Sequence, residues 1–119
     1  MTVKAEKLES TILVSLRPYS EGKRDDSITG WGNSLEKTLG ERPDSADIVA
    51  TLKRLRNRGL VRLIKFVSEQ NAWYNYGPDG QVDERWFFYN ATFIVAITDE
   101  GRGCWDVSSS PPIGFQQSA

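Results

Sequence analysis

A chain of 119 residues with 39% hydrophobic and 26% charged side chains has the size and balance of one folded domain with a modest core. It holds no histidine and a single cysteine, Cys104, which excludes histidine-dependent acid–base chemistry, the usual zinc sites and an internal disulfide. The formal net charge is −1, yet residues 48–68 hold six basic groups and no acid, residues 1–47 seven and nine, and residues 69–119 two and seven, so a basic centre lies between acidic flanks.

Between Lys4 and Leu16, the residues Ala5, Leu8, Ile12 and Leu16 recur on one helical face and Pro18 ends the run, which predicts a first helix. Residues 18–33, with a proline, three glycines and clustered charge, read as a long loop with a short strand at Ser27-Ile28-Thr29. Asn33 or Ser34 caps a short second helix, with Leu35 and Leu39 inward, that ends at Gly40. Asp44 or Ser45 caps a third helix over about residues 45–58, where Ile48, Leu52 and Leu55 recur at helical spacing before a left-handed stop at Gly59.

Leu60 opens a β-branched and aromatic run to Val67 that favours a strand. Trp73, Tyr74 and Tyr76 approach a Gly77-Pro78-Asp79-Gly80 turn, and Trp86-Phe87-Phe88-Tyr89 followed by Phe93 to Ile97 reads as the return arm of a long β-hairpin. Thr98 caps a short last helix to about Val107, with Trp105 packed on the core, and Ser108 to Ala119 read as a mobile tail. Residues 1–107 are therefore expected to form the domain and 108–119 the tail.

Catalytic chemistry finds little to use. Asp25-Asp26 lies in a loop-like stretch and Asp99-Glu100 at a helix start, where acids favour the positive end of the dipole, and neither pair has neighbours that would tune two carboxylates apart. Cys104 reads as a packing residue. The expectation is a protein that is not an enzyme and needs no cofactor or metal. No apolar stretch reaches the length of a membrane span and the N-terminus MTVKAEKLES lacks the hydrophobic centre of a signal peptide, so the expected location is cytoplasmic, away from membranes.

Projected at about 100° per residue, the third helix places Ala46, Asp47, Ala50, Lys53, Arg54 and Asn57 opposite its apolar stripe. Alanines allow a close backbone approach, Lys53 and Arg54 offer donors to phosphates or base edges, and Asn57 offers a bidentate amide.

The order helix, helix, turn, helix, strand, turn, strand, helix resembles a winged helix-turn-helix domain of the small prokaryotic transcription-regulator type. Leu35-Glu36-Lys37-Thr38-Leu39-Gly40, then Leu52-Lys53-Arg54-Leu55 with Gly59-Leu60-Val61, then Ile97-Thr98-Asp99-Glu100-Gly101-Arg102 carry the resemblance, which spans roughly residues 4–107. It implies an α+β, mainly helical fold: a three-helix core, a long β-hairpin wing and a short C-terminal helix. It also implies double-stranded DNA as partner and a homodimer that reads paired half-sites. By position, Ser45, Ala46, Asp47, Ala50, Thr51 and Arg54 would face the major groove, while Lys53, Asn57, Arg58, Arg62 and Lys65 would flank it and meet phosphates.

The expected wing tip is flanked by Asp79, Asp83 and Glu84, with Arg85 the nearest cation, and phosphate repels acids there. DNA contact is thereby confined to the helix and the base of the wing. The aromatic wing supports a second reading, a protein-binding module with Trp73, Tyr74, Tyr76 and Trp86 as anchors.

Overall fold

The computed structural model describes residues 5–19, 21–77 and 82–109. Among them the chain runs α1 (Ala5–Ser15), β1 (Lys23–Asp26), α2 (Ile28–Leu39), α3 (Ser45–Asn57), β2 (Val61–Val67), β3 (Ala72–Asn75), α4 (Glu84–Tyr89), β4 (Phe93–Ile97) and α5 (Asp99–Ser109). The four strands form one antiparallel sheet in the order β1-β4-β2-β3, so the fold is α+β, with helix and sheet sharing the core rather than a mainly helical body.

Leu8, Ile12, Leu13 and Leu16 of the first helical segment are buried with Ile48, Leu52 and Leu55 of α3 and Leu35 of α2. The expected stops hold: Gly40 and Gly59 sit at φ of 84° and 76°, left-handed values that a side chain would strain. Asp44 occupies the N-cap position of α3 without a side-chain cap bond.

The stretch 18–33 is not one long loop. Lys23–Asp26 pairs with β4, and α2 begins at Ile28, with the Ser27 hydroxyl accepting from the Gly30 N–H at 3.1 Å. Ser27 is thus a cap and not part of a strand. Two glycines obscured this helix, since each costs about 1 kcal/mol relative to alanine in a helix interior. Close neighbours account for them: a Cβ on Gly30 would lie 1.9 Å from Asp26 Oδ1, and one on Gly32 would displace the end of the flexible Arg42 side chain, whose Nη2 it would approach to 2.7 Å. Between them Trp31 is fully buried, with the Arg24 guanidinium 4.2 Å from its ring centroid. Arg24, buried too, pairs with Asp26 and donates to Ser34 Oγ at 3.1 Å and Gly30 O at 3.3 Å.

The long hairpin is also corrected. β2 turns back through residues 68–71, with Asn71 at φ 48°, and pairs with β3 in the register Phe66↔Trp73 and Ile64↔Asn75. Of the expected turn at 77–80, residues 78–80 lie outside the described residues, as does the tail from Ser110 onward. Trp86-Phe87-Phe88-Tyr89 is helical, because Asp83 caps the Trp86 N–H at 2.9 Å and the turn buries Phe87 and Phe88 against Phe93 and Tyr76. Aromatic content read as a strand belongs instead to a six-residue helix laid on the sheet. α5 extends to Ser109, past the expected end, while the Trp105 side chain lies outside the described residues.

Lys65 fastens this arrangement. On the helix-facing side of β2 it is buried, and its ammonium donates to Phe87 O at 3.1 Å, Thr92 O at 3.0 Å and Asn90 O. These carbonyls close α4 and the connection to β4, where intrahelical donors have run out. Burial pushes the Lys65 ammonium below the ordinary lysine value, with the Asp25 carboxylate acting in the opposite direction. Lys65→Met keeps the length and removes the donors, and it is expected to lower unfolding free energy by about 2 kcal/mol in urea denaturation. Lys37→Met, on an exposed helix face, should change it by less than about 0.5 kcal/mol.

Candidate nucleic-acid interface

α3 turns the expected surface outward. Ser45, Ala46, Asp47, Ala50, Arg54, Asn57 and Arg58 are exposed and Lys53 is half-buried, because Ile48, Val49, Leu52 and Leu55 occupy the opposite stripe. Thr51 does not join that surface. Three residues beyond Ile48, it falls on the buried side, where its hydroxyl donates to Asp47 O at 2.7 Å and accepts from Arg54 Nη2 at 2.9 Å. Lys65, spent on three carbonyls, is likewise no phosphate contact. Arg62 is exposed, but strand alternation sends it to the sheet face away from the helices, opposite to buried Val61 and Leu63.

The cations of α3 are already engaged. Glu9 of α1, largely buried, takes both Arg54 Nε at 3.1 Å and Arg58 Nη1 at 2.7 Å. Lys53 pairs with Glu84 of α4 at 2.6 Å, and the Tyr76 hydroxyl donates to the same carboxylate at 3.2 Å. Arg56 donates to Asn57 Oδ1, with its guanidinium 5.7 Å from the Tyr76 ring centroid. Of the six cations in 48–68, Arg62 has no hydrogen bond or ion pair among the described residues. Asp44 and Asp47 meanwhile make the start of α3 acidic, so positive charge is confined to its second half.

No known protein family, curated protein or solved structure matches the chain. Its function has to be read from its own geometry.

Among the proposed partner-binding aromatics, the fold separates one from three. Trp73 is 61% exposed and lies beside Phe66, 41% exposed, with ring centroids 4.8 Å apart on the outer sheet face. Tyr74 and Trp86 instead meet edge to face at 5.3 Å, and Tyr76 packs on Phe87 and Phe88, all on the helix side. Phe66 was the missed member. The alternation Arg62, Ile64, Phe66 along β2 is the signal that marks its face. Cys104 is half-buried against the core, and among the described residues no group of acids and cysteine is arranged to hold a metal ion.

The Lys53–Glu84 pair titrates in a defined direction. The Lys53 hydrogen bond holds the Glu84 carboxyl below 4.5, and the Glu84 hydrogen bond holds the Lys53 ammonium above 10.5. A carboxyl whose folded pKa is depressed contributes stability above its unfolded value and loses it as pH falls through the folded one. For lysine the sign reverses, and the contribution fades only as pH rises past 10.5. With side chains 37% and 44% exposed, screening keeps the effect below about 1 kcal/mol. Acidification through and below pH 4.5 is expected to raise amide exchange in α4 before the core opens, and Glu84→Gln should reduce that pH dependence, leaving the part that comes from the Asp83 cap.

Proposed function

We propose that the chain is a winged-helix regulator that binds double-stranded DNA through the outward face of α3. The supporting observation is positional. β1 lies between the first two helices in sequence, β4 seats itself between β1 and β2, and α3 runs directly into β2 while presenting Ala46, Ala50, Lys53, Arg54 and Asn57 to solvent. In this reading the β3–α4 segment is an insertion between the two wing strands, and the second half of α3 makes the contact.

Phosphate must then take Arg54 and Arg58 from Glu9. The arginines are themselves partly exposed and each phosphate contact gains from counterion release, but the exchange leaves the largely buried Glu9 carboxylate without its partners, which sets its cost. Affinity for mixed duplex DNA is expected to fall steeply with salt, and absence of binding at low salt would overturn the proposal. Arg54→Ala should weaken binding by about 1–3 kcal/mol if the guanidinium reads a base edge. Glu9→Gln, which removes the competing carboxylate while keeping a hydrogen-bond acceptor, is expected to raise DNA affinity and steepen the salt slope.

The exposed Phe66–Trp73 pair favours a second reading, a protein-binding surface on the outer face of the sheet. The two readings use different surfaces, α3 in one and the sheet in the other, and are compatible.

A further inference from the structure

Strand register orders the outer face of the sheet into three rows. One end row is basic, with Lys23 and Arg62 on either side of Ala96. The middle row runs Asp25, Ile94, Ile64 and Asn75, with polar residues at both edges and Ile64 already buried between its neighbours. The far row is the aromatic pair Phe66 and Trp73. Successive rows are about 7 Å apart, and the four strands span about 19 Å.

We propose that this face joins two copies of the chain about a twofold axis perpendicular to the strands and centred over the Ile64–Ile94 row. That operation carries each isoleucine onto its own counterpart and, because every strand then lies over itself, sets Arg62 of one copy over Phe66 on β2 of the other, with Trp73 beside it on β3. Arg62, exposed and without a partner among the described residues, then rests on the exposed Phe66 and Trp73 rings of the second copy, and the contact occurs twice. A surface that runs from basic through aliphatic to aromatic is complementary to its own reverse.

A nucleic acid laid on the same face would meet Asp25 in the middle row, which disfavours it. The twofold also draws the two Asp25 carboxylates towards each other. Lys23, one row away on each copy, is already paired with Glu21 at 2.7 Å, so the repulsion is left for solvent to screen and limits the affinity. Four short strands give a footprint near the low end for specific interfaces, so the association is modest and depends on concentration. The helices occupy the other layer, which leaves α3 free. The dimer rests on the protein-binding reading, whose partner it names as a second copy, and it stands whether or not α3 meets DNA.

Sedimentation equilibrium of the full chain over a concentration series tests it. A reversible monomer–dimer equilibrium is expected, with Trp73→Ser and Arg62→Glu each raising the dissociation constant by about tenfold or more. Asp25→Asn should tighten the dimer, a gain that a merely misfolded variant would not produce. Circular dichroism and urea denaturation verify that the variants remain folded. A chain that stays monomeric throughout the series overturns the dimer while leaving open a different protein partner and the separately measured DNA affinity. A dimer indifferent to Trp73 and Arg62, or a monomer that binds oligothymidylate instead, overturns it equally.

Discussion

The buried ammonium of Lys65 is the constraint around which the β side of the molecule is arranged. The chain leaves edge strand β3 on one side of β2, forms α4, and returns as β4 on the other side. A helix of six residues inserted in that passage satisfies few of its own carbonyls. An apolar residue at position 65 would suit the neighbouring Val61 and Leu63 and yet leave Phe87 O, Asn90 O and Thr92 O without their donor. Once those carbonyls are held, Phe87 and Phe88 settle against Phe93 and Tyr76, and the aromatic half of the core is complete.

Features governed by neighbours in sequence were legible from the sequence. The apolar stripes of α1 and α3, the left-handed stops at Gly40 and Gly59, the β2 run and the Thr98 cap all follow from local spacing and capping chemistry. Features governed by distant partners were not. β1 is Lys-Arg-Asp-Asp, a strand with no apolar alternation, formed because β4 supplies its ladder and Trp31 its packing surface. The glycines in α2 looked like loop because their reason, the side chains of Asp26 and Arg42, is visible only in three dimensions. Exposure on α3 was readable by projection for Ala46, Ala50, Arg54 and Asn57. Engagement was not, since Glu9 lies 45 residues from Arg54 and Glu84 lies 31 from Lys53.

Those distant carboxylates change what the basic run means. A free cationic helix adds charge neutralisation to any polyanion it meets, whereas α3 offers an exchange of one anion for another. The net electrostatic gain is smaller, and shape carries more of the discrimination. Close approach at Ala46 and Ala50 then matters more than the count of arginines. Folding likewise moves the acids of α1 and α4 onto the cations of α3, so the basic centre seen along the sequence is largely offset in space.

The Thr98 side chain, a small feature of the β4–α5 junction, links two helices that are far apart in sequence. Its hydroxyl donates to Gly59 O at 2.5 Å and accepts from the Gly101 N–H at 3.1 Å, while its own N–H bonds Leu60 O. Gly101 packs so tightly on the Leu60 carbonyl that a methyl group there would stand 2.2 Å from it. The end of α3 and the start of α5 are therefore spliced into a single rigid joint. A tilt imposed on α5 from outside reaches the C-terminal turn of α3 as a lever movement, with no slack loop between them to absorb it.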